Sequence, residues 1–171
     1  MGSGINYINL HPWGDFLGQQ ILTSDTAQMD VSNIPAGYKW LLVLISAELE
    51  AGKPGTTCFI RFNNDSVANH YNFLKSYSEA GSVFITASVT SSALYGQNLT
   101  SARFSTSQVV VSNVPVTAYK GYWLTGGDEF QVFTTAGSWA NQTDEINQVT
   151  LLTASGDKFK AGSQVFIYGV R

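Results

Sequence analysis

Along residues 38–50 apolar side chains fall on alternate positions. Leu41, Val43, Ile45, Ala47 and Leu49 share one face, while Ser46, Glu48 and Glu50 lie on the other. That period of two predicts a strand with one side on a core. Over the first half Trp40, Leu42 and Leu44 make the second face apolar as well. That half is expected to be covered on both sides, by an N-terminal arm, a loop or another subunit. Runs rich in Val, Ile, Thr, Phe and Tyr, bounded by Gly, Asn, Asp, Ser or Pro, predict further strands over 57–62, 83–89, 108–114, 121–124, 130–134, 146–152 and 164–168. In 67–80, Val67, Tyr71, Leu74 and Tyr77 fall at helical spacing and Gly81 could end a helix. The aromatic and Ser/Asn content there favours extended chain. About eight short strands with frequent turn signals, not alternating with long helices, predict an all-β fold. The expectation is a single antiparallel β-sandwich, jelly-roll-like, with an N-terminal arm.

The arm is residues 1–18 and the sandwich domain residues 19–171. Ile5, Tyr7, Ile8, Leu10, Trp13, Phe16 and Leu17 follow neither a period of two nor one of 3.6. An apolar arm has to lie on something, either its own domain or a neighbour. Ile5, Ile8, Leu10, Trp13 and Phe16, with Trp40 and Leu42, are therefore the candidate contacts to another copy or to another protein. No fixed-period repeat and no Pro-rich or Gly/Ser-rich linker divides the chain.

Only 12% of residues are charged, against about 25% in an average globular protein. The surface must then be covered mainly by Ser, Thr, Asn, Gln and Gly, which suits broad protein contacts or sugar binding equally. A net charge of −3 with scattered basic residues gives no support for nucleic acid as a partner. The single cysteine, Cys58, sits in an apolar stretch and reads as a small buried hydrophobe. No apolar run is long enough to span a bilayer, and the N-terminus lacks a basic-then-apolar leader pattern. The expectation is a soluble protein assembled inside the cell, without membrane partners.

Catalytic candidates are thin. The two histidines are His11 and His70, and no strand–elbow–helix serine motif accompanies them. The most polar segment, 61–71, admits three readings: oxygen ligands for Ca²⁺ from Asn63, Asn64, Asp65 and Asn69; a sugar site of Asn, Asp, His and Tyr; or a tight turn whose side chains bond their own backbone, with Arg61 pairing nearby. The turn is preferred, and Arg61, Asn63, Asp65, Asn69 and Tyr71 are its structural residues. Acidic pairs for glycoside hydrolysis could be drawn from Asp128, Glu129, Asp144 and Glu145, but both pairs read as solvated strand-end residues. No enzymatic activity, cofactor or metal is expected.

Three motifs carry a resemblance. The first is Ile34-Pro35-Ala36-Gly37-Tyr38 entering the long apolar strand. The second is Arg61-Phe62-Asn63-Asn64-Asp65, with Asn69 and Tyr71 behind it. The third is Gly156, Phe159 and Gly162-Ser163 before the closing Tyr168-Gly169-Val170-Arg171. In this order they resemble small bacteriophage virion structural proteins, the capsid decoration and tail- or fibre-associated β-sandwich domains. The likeness covers residues from about 20 to the end, and 83–103 does not align. It implies a virion component, assembled in the host cytoplasm and often oligomeric. The two-faced strand from Trp40 to Leu44 and the apolar arm add the expectation of a closed homo-oligomer, a homotrimer. The best fit is a capsid decoration (cement) protein bound to the major capsid protein. The alternative is a tail or fibre host-adhesion module binding cell-surface glycans.

Overall fold

The computed structural model describes residues 13–79, 82–114, 119–127 and 131–171. Twelve strands are named among them: β1 (Asp15–Ile21), β2 (Gln28–Ser32), β3 (Trp40–Ala47), β4 (Thr56–Phe62), β5 (Tyr71–Glu79), β6 (Ser82–Ser91), β7 (Leu94–Leu99), β8 (Ser105–Ser112), β9 (Lys120–Gly127), β10 (Gln131–Trp139), β11 (Gln148–Thr153) and β12 (Gln164–Val170). They form two antiparallel sheets packed as a sandwich. The larger runs β1-β12-β3-β8-β9-β10-β5-β6 and the smaller β2-β11-β4-β7. From β1 to β4 the chain changes sheet at every step, so each connection passes from one sheet to the other. The hairpins β5–β6 and β9–β10 both join the larger sheet and widen it to eight strands.

The alternation in the sequence is what builds the core. Leu41, Val43, Ile45 and Ala47 of β3 face inward, beside Val109 and Val111 of β8 and Val165 and Ile167 of β12. Met29, Val31, Ile60, Phe62, Val149 and Leu151 answer from the smaller sheet. At one end Trp139 stacks on Tyr71 at 6.4 Å and tilts against Phe62 at 5.5 Å, an aromatic cluster bridging the two sheets. Under the hairpin extension the interior turns polar. Gln97, Ser105, Ser107 and Thr135 are buried there, and the Lys75 ammonium lies over the Tyr77 and Tyr95 rings while donating to the Tyr95 hydroxyl. Cys58 is fully buried and burial pushes its thiol up, as a small core residue requires.

Within 67–80 the chain is extended, as its aromatic and Ser/Asn content favours, and not helical: β5 pairs with β10 from Tyr71 to Glu79. One sequence expectation is revised. The sandwich starts before residue 19. Asp15 pairs with Gly169 and Phe16 with Tyr168, and a register shift between Phe16 and Gly18 precedes Gly18 opposite Ile167. That bulge breaks the period of two, which is why residues 15–18 look unpatterned in the sequence.

Candidate functional site

The outward side of the larger sheet is the most unusual surface. Residues facing away from the core can be followed strand by strand through the register: Phe16 beside Tyr168, Tyr168 beside Leu42, Leu42 beside Val110, Val110 beside Trp123. Continuing across, Trp123 pairs with Ala136, Ala136 with Leu74 and Leu74 with Ala87. None of these outward positions on the described strands carries Asp, Glu, Lys, Arg or His. Trp40 is 48% exposed and Trp123 52%, and Phe16, Val132, Val83 and Ile85 are exposed with them. The outward side of the smaller sheet differs, since Asp30 and Arg61 stand on it.

The candidate contacts named from the sequence divide. Trp40 is outward and exposed, whereas Leu42, also outward, is only 9% exposed. Trp13, Trp40, Val110 and Val170 surround a shallow apolar pocket beside it. So the second apolar face of β3 is partly covered by this chain's own large side chains, and Trp13 carries the arm onto that face. Phe16 lies edge-on to Tyr168 at 5.6 Å. Ile5, Ile8 and Leu10 lie outside the described residues. The arm's inner end is tied down by polar contacts: the Tyr38 hydroxyl donates to Asp15 at 2.9 Å and accepts from Arg171 at 3.1 Å.

Segment 61–71 forms a bracing turn. Asn63 and Asn64 have φ of 53° and 55°, and Asn69 of 73°, conformations that Asn tolerates better than most residues. Asn63 donates to the Glu145 carbonyl at 2.9 Å and accepts from the Asn147 and Gln148 amides at 2.9 and 3.2 Å, so it bonds the β11 entry rather than its own backbone. Asp65 does bond locally, accepting from the Val67 amide at 3.0 Å. It also accepts from His70 Nδ1 and from the Trp139 indole, both at 2.7 Å. Partial burial alone would raise the Asp65 carboxyl, but the donors Trp139, Val67 and His70 outweigh it and hold it below its ordinary value. Tyr71, buried, accepts from the Phe62 amide and donates to the Asp65 carbonyl at 3.1 Å each. Arg61 stands apart from this network and donates to the Ser92 carbonyl at 3.0 Å. Asn69 is exposed at the turn's tip.

The acidic pairs do not assemble a reaction centre among the described residues. Glu145 accepts from the Gly37 amide at 2.7 Å, and Asp144 from Asn141 at 2.8 Å. Both are busy holding loops. Asp128 and Glu129, like His11, lie outside the described residues. Among the described residues no group of three or more His, Cys, Asp and Glu is placed to hold a metal. Lys53 pairs with Asp157 at 2.8 Å and Lys160 with Glu48 at 2.7 Å, while Arg171 lies 3.5 Å from Asp15 at the start of β1. Comparisons with protein-family models, with curated proteins and with solved structures found no match.

Proposed function

We propose that this chain is a bacteriophage virion structural protein, a capsid decoration protein that works as a homo-oligomer attached to the major capsid protein. The observation that carries the reading is the broad, uncharged outward face of the eight-stranded sheet. Interfaces are depleted of charge at their centres and enriched in aromatics, because a buried ion must be paired or its desolvation goes uncompensated. The sandwich agrees with the fold that the sequence resemblance implies. Its repeated crossing between sheets supports reading the winding as jelly-roll-like. Such a protein needs no reaction centre, since many modest contacts repeated by symmetry sum through avidity. Closed rings are the common outcome for soluble assemblies, and a trimer is the expected one.

Co-sedimentation tests this reading. Purified full-length chain mixed with shells of the phage that encodes it, stripped of the protein, should pellet with them at a fixed ratio per capsid subunit and raise their resistance to heat. Failure to bind such shells, with clear retention on a panel of cell-surface glycans, would replace decoration by host adhesion.

A further inference from the structure

We infer that the outward face of the eight-stranded sheet is covered by other copies of this same chain. The inference deepens the oligomer part of the proposed function and stands independently of the virion part. Size is the first argument. Eight strands at a spacing of about 4.8 Å, each about eight residues long at about 3.3 Å per residue, give a face of roughly 35 by 25 Å. That is on the order of the 800 Å² per partner that a stable interface buries.

Charge is the second argument, and it selects the partner. Copies whose sheets turn toward a common axis bring the same face together, so any net charge on it meets the same sign. Among the described residues this face carries no ionisable group other than Tyr168, and it escapes that penalty. Complementary charge, which steers and orients a foreign partner, is absent from this face, and a second copy does not need it. Charged residues among those described stand elsewhere, as Asp30 and Arg61 do on the smaller sheet and Lys53, Asp157, Lys160 and Glu48 do at one end of the sandwich.

The edge strand is the third argument. β6 reads Ser-Val-Phe-Ile-Thr-Ala-Ser-Val-Thr-Ser over Ser82–Ser91, with neither charge nor proline. Solitary β-proteins guard such edges with Lys, Pro or short strands, because an unguarded edge templates pairing with other chains. Val83 and Ile85, each 71% exposed, add apolar side chains at that end of the face. A closed assembly would cover face and edge together.

The test is the solution mass of the full chain, by light scattering and sedimentation from submicromolar to tens of micromolar. The expected mass is a fixed multiple of 18.5 kDa. Trp123→Glu and Val110→Lys place a charge on exposed central positions and should each reduce it to the single-chain mass, with an unchanged β circular dichroism spectrum. Gln28→Lys, exposed on the smaller sheet, should leave it unchanged. A wild-type chain that is monomeric throughout would overturn the inference without use of any variant. So would folded Trp123→Glu and Val110→Lys proteins that keep the wild-type mass. An oligomer that fails to bind shells would leave the inference standing and remove the decoration reading.

Discussion

Asp65 shows how one side chain can fix a turn. Its carboxylate collects the Trp139 indole, the His70 ring and the Val67 amide, and Trp139 itself has no exposure to water. Removing the acceptor strands a buried donor, which costs more than an average hydrogen bond contributes. Asp65→Ala should therefore lose about 2–3 kcal/mol in denaturant unfolding, and Asp65→Asn distinctly less. His70→Ala removes a half-exposed partner, and its loss should stay under about 1 kcal/mol. The pH dependence follows from the lowered Asp65 carboxyl. The folded state holds the proton less tightly than the unfolded chain, so the stabilisation is fully present above the unfolded value of about 3.9. It should be lost as pH falls through the lower folded value. In Asp65→Asn the acid limb of a stability-against-pH curve below about pH 4 should be shallower than in the wild type. Gly137 is a second informative residue. A Cβ there would meet the Asn72 carbonyl oxygen at 2.1 Å and the Tyr122 ring at 2.5 Å. Backbone oxygen cannot step aside as a flexible side chain can, so Gly137→Ala should cost about 3 kcal/mol, measured by thermal unfolding.

At the scale of elements, β1 decides how the N-terminal arm behaves. Removing residues 1–12 spares β1 and the contacts of Asp15. Removing residues 1–18 deletes Asp15, Phe16 and Leu17, and with them the Asp15–Tyr38–Arg171 contacts and an apolar side chain packed on the core. That larger truncation should melt well below the shorter one, by about 5 °C or more. The reason this was hidden in the sequence is the bulge between Phe16 and Gly18. The same cause obscured β7, whose pairing with β4 shifts register after Cys58 and whose buried positions include Gln97 and Gly96. β2 offers only Met29 and Val31 as its inward pair, too short a pattern to recognise. Where alternation runs unbroken, as in β3, β4, β8 and β12, the predicted strands lie within three residues of the observed ones. The turn at 61–71 was legible because Asn and Asp carry their own bonding logic. Its tie from Asn63 to residues 145–148 was not, since those residues are more than 80 apart in the chain.

For the whole molecule, the sequence showed one outward apolar stretch, at Trp40 to Leu44. The breadth of the uncharged face became visible only when the sheet order placed Trp123, Ala136 and Leu74 in line with it. No window of sequence contains that line, because its members come from β3, β8, β9, β10 and β5. A large uncharged face on the eight-stranded sheet is the physical basis of the contact role proposed for this chain. The most direct measurement of that claim is a reconstruction of the virion at a resolution that separates strands. The account predicts symmetric clusters of this sandwich on the capsid surface, with the eight-stranded sheets turned toward the cluster axis. Single copies exposing those sheets to solvent, or particles in which the chain is absent, would contradict it.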